Sequence, residues 1–165
     1  MSVVFENNSI AVEKALGEAG LAWLYEASGE ICSQTQRNTK VSGGGLGGKT
    51  KGSWRVNVDE KNMTAIVGSN SENAIWEEFG TGEYALEGKG RKGGWWIKVG
   101  GRHGEMPLST VQKYGWAKVR KDNDGNITFV FTLGKRPRRA FQKAYLKTKP
   151  KVLRRANEIF KGVGD

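Results

Sequence analysis

The chain has 165 residues, which is about the length of one folded domain. Hydrophobic residues make up 37% of it and charged residues 27%, so the chain can bury a core and disorder along its whole length is excluded. No run of about eighteen apolar residues is present, which argues against a membrane-spanning helix, and the formal net charge is +10.

The positive charge is concentrated near the C-terminus. Residues 135–161 contain eleven Lys and Arg residues and a single acid, Glu158, whereas the rest of the chain is close to neutral. This distribution predicts one positively charged element on a protein whose remaining residues have a net charge near zero.

The residue counts also limit the chemistry. A lone cysteine, Cys32, forms no internal disulfide, and with His103 as the only histidine the chain lacks the residues for a zinc site or a Ser-His-Asp triad. The first ten residues, MSVVFENNSI, lack the basic and long apolar regions of a signal peptide. We therefore expect no catalytic residues, no metal, no cofactor and no enzymatic activity.

The first predicted element is an amphipathic helix from Asn8 to about Ile31. Its apolar residues recur at spacings of three and four, and its acids outnumber its one base, Lys14. Residues 33–52 are first polar and then glycine-rich, which predicts a mobile loop near 38–52.

Two hairpins are predicted next. Trp54, Val56 and Val58 alternate with polar residues ahead of the segment MTAIVG, and a turn at 122–125 joins GWAKVRK to NITFVFTL. Between the hairpins, Trp95 and Trp96 begin a strand or an extended arm inside a second mobile loop near 86–108.

The last predicted element is a helix after Pro137, which Pro150 is expected to kink or divide. One face of it carries Phe141, Tyr145, Val152, Ala156 and Ile159. The overall prediction is a single α+β domain over 1–165, with an N-terminal helix, an antiparallel sheet built from hairpins and a basic C-terminal helix.

Three pattern matches are better explained by structure than by ligand binding. Residues 43–50, GGGLGGKT, match a P-loop, but polar sequence precedes them and an alternating strand follows them. Residues 88–93, GKGRKG, match a dinucleotide-binding motif, but a predicted strand follows them where that motif requires a helix. Residues 122–126 resemble a calcium loop without its required glutamate. The neighbouring acids Glu77 and Glu78 do not face a common site on a helix or strand, and His103 is expected in an exposed loop.

A second face of the C-terminal helix is basic, and three interpretations of it stay open. It could follow the phosphates of DNA, be a solvated surface, or face the acidic first helix of a neighbouring identical subunit. Its residues are Lys143, Lys147, Lys151, Arg154 and Arg155.

The segment 74–82, AIWEEFGTG, resembles the signature of the tail-component family of tailed phages, the small tail-completion or head-tail joining proteins of siphophages. Residues 50–54 also resemble the passage from loop to strand in that family, and residues 136–144 resemble its proline-containing start of the last helix.

This resemblance implies a virion component that forms a ring of identical subunits at the head-tail connector or the tail end, around the DNA channel. The implied partners are further copies of itself, connector or head-completion proteins, tail-tube or terminator proteins, and packaged DNA through non-specific contact, but no membrane. The implied location is the virion, and the host cytoplasm during assembly.

The candidate interface residues are Trp76, Glu78, Phe79, Gly80, Thr81, Gly82, Trp95 and Trp96. The alternative for 74–82 is a simple turn between layers of the fold. The alternative for the whole protein is a basic module that binds nucleic acid through its C-terminal helix.

Overall fold

A computed structural model describes residues 9–41 and 47–162. The helices are α1 (Ser9–Asn38), α2 (Gly47–Gly52), α3 (Glu72–Phe79), α4 (Leu108–Tyr114) and α5 (Ala140–Lys161). The strands are β1 (Trp54–Asp59), β2 (Thr64–Ser69), β3 (Trp95–Lys98), β4 (Val119–Lys121) and β5 (Ile127–Thr132). All strand pairs within the two sheets are antiparallel, so the predicted α+β class is confirmed.

Helix α1 is longer than its apolar stripe predicted. Residues 33–38, expected to begin a loop, form its last turns, and the polar residues Gln34 and Thr35 are buried there. Thr35 can be buried because its hydroxyl donates to the carbonyl oxygen of Ile31 at 2.8 Å. A polar helix face of this kind carries no apolar periodicity, which is why the prediction ended too early.

The glycine-rich segment is partly helical as well. Residues 42–46 lie outside the described residues, but α2 follows them, where the prediction had a loop leading directly into a strand. Thr50 is buried in α2. Its carbonyl oxygen accepts a hydrogen bond from the hydroxyl of Ser53 at 2.7 Å, directly after the end of the helix. The second half of the P-loop pattern therefore lies in a short helix, but the element described before the pattern is α1 and not a strand.

The chain divides into two compact units that interleave along the sequence. Of the described residues, the first contains 9–38, 54–69 and 141–162, and the second contains 39–41, 47–53 and 70–140. Because both units are assembled from separate segments, the single domain over 1–165 stays a prediction.

In the first unit, α1 packs on the hairpin of β1 and β2. The alternation predicted for β1 is confirmed, since Trp54 is buried and Val56 and Val58 are more protected than the residues between them. Trp54 stacks on Phe141 of α5, with ring centroids 5.8 Å apart and planes inclined by 12°.

Helix α5 is continuous through Pro150, so the proline does not divide it, and the kink expected as the other outcome stays a prediction. Its buried positions are taken by the small residues Ala140, Ala144 and Thr148, while Tyr145, predicted for the core face, is 42% exposed. The buried face of α5 therefore does not include Tyr145.

In the second unit, the strands form one sheet in the order β3-β5-β4. The predicted hairpin of β4 and β5 is confirmed, and Asp122 closes its turn by accepting the N–H groups of Asp124 and Asn126. The predicted loop near 86–108 contains β3, which pairs along its whole length with β5. Trp95 and Trp96 therefore belong to a sheet and not to an extended arm.

Candidate interaction surfaces

Helix α3 presents two large aromatic side chains to solvent. Trp76 is 46% exposed and Phe79 is 54% exposed, and the neighbouring Ile75 is exposed too. Gly80 ends the helix with a φ of +74° and donates its N–H to the carbonyl oxygen of Trp76 at 3.0 Å. The sequence did not predict a helix here, although the apolar residues at 74, 75, 76 and 79 fit one.

The turn after α3 is fixed by a backbone ladder to residues 133–135. Thr81 donates its N–H to the carbonyl oxygen of Lys135, and Glu83 donates to that of Leu133, both at 2.9 Å. In return, the Lys135 N–H donates to the hydroxyl of Thr81 at 2.9 Å. Gly80, Thr81 and Gly82 were expected in an interface, but these backbone groups of the turn are already bonded within the chain.

The glycines of this turn are required by close packing. Gly82 has a φ of +61°, and a Cβ there would lie 2.7 Å from Cζ3 of Trp95 and 2.9 Å from Cα of Gly134. Gly80 similarly lies against the carbonyl oxygen of Lys135 and the ring of Pro137. The Gly-Thr-Gly sequence therefore serves the contact between two segments of the second unit.

Glu77 strengthens the same contact. Its carboxylate forms ion pairs with Lys135 and with Arg138, the latter at 3.3 Å, and its carbonyl oxygen accepts the Arg138 N–H at 2.7 Å. Only 13% of the Glu77 side chain is exposed, so these pairs are partly shielded from water. Glu78 is buried at 8% exposure.

The predicted interface residues thus divide into three groups. Trp76 and Phe79 face solvent and are free to meet a partner. Gly80 and Thr81 are half-buried, as are Trp95 and Trp96 in β3, while Glu78 and Gly82 are buried. Only the α3 aromatic pair, Trp76 and Phe79, therefore offers large exposed area.

The basic residues of α5 are all exposed, as predicted. Part of this surface already faces the acids of α1 in the same chain: Lys151 pairs with Glu30 at 3.3 Å, and Arg155 pairs with Glu26 at 3.2 Å. The hydrogen bond that Arg155 donates to the Glu26 carboxylate also raises the pKa of Arg155, which stays charged at every physiological pH.

An aromatic contact accompanies these ion pairs. Trp23 of α1 donates its indole N–H to the carbonyl oxygen of Val152 at 3.1 Å, and its ring meets Phe160 edge-on. The acidic half of α1 therefore packs on α5 of its own chain, which is the contact proposed from the sequence for neighbouring subunits. Within residues 9–41 and 47–162, no ion pair involves Lys143, Lys147 or Arg154, and we call these three residues the free basic face.

The remaining candidate residues take structural positions. Cys32 is buried in α1, which raises the pKa of its thiol, and His103 is exposed. The 88–93 segment leads into β3 as expected, and the part of the chain that the structure describes holds no cluster of metal-binding side chains. None of its helices is long and apolar enough to cross a membrane.

Comparison with known proteins adds no relative: no family model, curated protein or solved structure matches this chain.

Proposed function

We propose that this protein is a non-enzymatic structural component of a tailed-phage virion. It acts in tail completion or head-tail joining as a ring of identical subunits around the DNA channel, at the connector or at the tail end. Its partners in this role are neighbouring connector, head-completion, tail-tube or terminator proteins, and it reaches the virion from the host cytoplasm.

One observation carries this proposal: the exposed α3 aromatic pair sits directly before a firmly anchored turn. The ladder at Thr81 and Glu83 and the ion pairs of Glu77 fix the end of α3, so the two rings are held in place before any partner arrives. Aromatic side chains held in this way supply much of the binding energy in protein interfaces. The same segment, 74–82, carries the resemblance to the tail-component family.

The free basic face supports the DNA-channel part of the proposal. Lys143, Lys147 and Arg154 are exposed and belong to a segment that carries the net charge of the protein. A positively charged channel surface attracts the phosphates of DNA that passes through it, independently of the DNA sequence.

The test measures assembly of the full chain, alone and co-produced with the virion proteins encoded beside it. We expect rings in electron micrographs and a matching mass by light scattering. The double variant Trp76→Ala with Phe79→Ser is expected to prevent assembly of the oligomeric ring. Its far-UV circular dichroism spectrum is expected to stay unchanged. The matched control is Tyr114→Ser, which removes a ring of similar exposure from α4. Monomers in both settings would contradict the proposal, and so would rings that survive the double change.

The second candidate function is a basic module that binds nucleic acid through α5. It is favoured by the free basic face, whose three residues form no ion pair with any residue that the structure describes. Titration of duplex DNA at increasing salt is expected to show weaker binding for Lys143→Glu with Lys147→Glu, and unchanged binding for the control Lys61→Glu, an exposed residue of the β1–β2 turn. Equal binding by both variants would exclude this role for α5.

A further inference from the structure

One face of the β3-β5-β4 sheet carries rows of aromatic and basic side chains. The register pairs Trp96 with Phe131 and Lys98 with Phe129, and it pairs Arg120 with Phe129 from the other side. Lys118 joins the row of Phe131, whose N–H donates to the Lys118 carbonyl oxygen at 3.0 Å. Two rows result, Trp96–Phe131–Lys118 and Lys98–Phe129–Arg120, about 7 Å apart along the strands. We call this surface the aromatic-basic face.

The opposite face of the sheet is the buried one. Val130 is fully buried, and its cross-strand partners are Ile97 and Val119. Because successive residues of a strand point to opposite faces, the rows of Phe129 and Phe131 lie on the other side. The three rings there are half-buried, and the three cations are exposed.

The cations of this face lie over the rings instead of pairing with acids. The Arg120 guanidinium is 4.2 Å from the Trp96 ring centroid, and the Lys118 ammonium is 5.2 Å from that of Phe131. Lys98 pairs with Glu105, but among the described residues neither Arg120 nor Lys118 has a side-chain ion pair or hydrogen bond. Two positive charges are therefore held beside flat aromatic rings, and within residues 9–41 and 47–162 neither forms an ion pair with an acid.

A nucleotide chain has the matching chemistry, since each unit joins an anionic phosphate to a flat ring. We propose that the aromatic-basic face binds single-stranded nucleic acid, with phosphates at Lys118 and Arg120 and unpaired bases stacked on Trp96 and Phe131. Bases in a duplex are enclosed between their neighbours and cannot reach these rings. An acidic protein segment supplies the charge but has no base to stack, so the aromatic half of the face favours the nucleotide.

This inference does not depend on the proposed virion role, and it concerns a surface other than the free basic face of α5. The sequence contained a usable signal, since the alternation in AKVRK and in NITFVF places Lys118 with Arg120 and Phe129 with Phe131. That alternation predicted the hairpin above, but only the charge of α5 led to the prediction of nucleic-acid binding.

The first measurement is binding of the full chain to a fluorescein-labelled 12-nucleotide oligo-dT by fluorescence anisotropy. We expect Lys118→Gln with Arg120→Gln to weaken binding by about tenfold or more, and the salt slope to fall by about 0.7 for each contact removed. The matched control is Lys113→Gln, which removes an exposed cation that lies over Tyr114, an aromatic ring of α4. Equal affinity of the double variant and the control would overturn the proposal.

The second measurement separates base stacking from charge attraction. Binding of oligo-dT is expected to quench tryptophan emission, and Trp96→Phe is expected to remove most of that quenching while keeping affinity within about threefold. Trp96→Phe keeps an aromatic ring, so the fold is expected to survive, as thermal unfolding will check.

Competing ligands complete the test. A poly-glutamate peptide and a 12-base-pair duplex are expected to bind at least about tenfold more weakly than oligo-dT at the same salt concentration. Equal binding of poly-glutamate would assign the surface to an acidic protein partner. Loss of oligo-dT binding on Lys143→Glu with Lys147→Glu alone would place the site on α5. Either result would overturn the proposal.

Discussion

The close approach at Gly82 can be tested by giving it a Cβ. At a φ of +61° an L-residue is strained by about 1–2 kcal/mol. The new carbon would also meet the carbonyl oxygen of Leu133, the Trp95 ring and Gly134. Overpacking of this kind costs about 1–3 kcal/mol, and loss of the hydrogen bond from Glu83 adds about 0.5–1.5 kcal/mol.

The strain and the packing can be separated with a matched glycine. Gly88 has a φ of +69°, and a Cβ there would meet nothing within 4 Å. Gly88→Ala therefore carries the backbone strain alone, and both substitutions restrict the unfolded chain equally. We expect Gly82→Ala to lower the free energy of unfolding by about 2–4 kcal/mol more than Gly88→Ala does.

Urea unfolding followed by circular dichroism gives this difference from the two midpoints, provided that the m-values agree. A difference below about 0.5 kcal/mol would refute the close packing of the turn against residues 133–135. If Gly82→Ala instead leaves stability unchanged but prevents ring formation, the turn contacts a neighbouring subunit as the sequence interpretation proposed.

Three further predictions concern single positions. Glu77→Gln removes two partly shielded ion pairs and is expected to lower the free energy of unfolding by about 1–2 kcal/mol. Glu87→Gln removes an exposed ion pair and is expected to change that free energy by less than about 0.5 kcal/mol. Equal urea midpoints of the two variants would contradict this difference. Pro150→Ala restores a backbone donor inside α5 and is expected to raise the thermal midpoint, with a stabilisation of about 1–3 kcal/mol; a lower midpoint would show that the proline suits its place. Burial raises the pKa of the Cys32 thiol, so less thiolate is present at pH 8. Disulfide exchange with an aromatic disulfide reagent is therefore expected to be at least about tenfold slower in the native protein than in urea. Equal rates would contradict the burial of Cys32.

The elements that the sequence predicted well are those whose burial leaves an alternating pattern. Both hairpins, at Trp54 and at Asp122, follow from a period of two, and the second also has an Asp-Gly step in its turn. The face of α5 was less well predicted because its buried residues, Ala140, Ala144 and Thr148, are too small or too polar to stand out. Tyr145 looked like a core residue by type alone.

The candidate site shows the same division. Exposure of the α5 cations followed from their spacing of four, but their pairing with Glu26 and Glu30 depends on how α1 packs against α5. The buried place of Gly82 could not be inferred either, since residues 133–135 reach it from about fifty positions away. Contacts between distant segments leave no local pattern in a sequence.

The pairing of α1 with α5 has a consequence for how the protein is made. The hydrogen bond from Trp23 to Val152 joins residues 129 positions apart. At a synthesis rate of about 5–20 residues per second, α1 waits roughly 6 to 26 seconds on the ribosome before that part of α5 exists. The hairpin of β1 and β2 emerges sooner and covers α1 in part. The first unit therefore completes its folding only after α5 has been synthesised. In a nascent chain stalled before residue 152, the Trp23 side of α1 would stay exposed to chaperones and proteases.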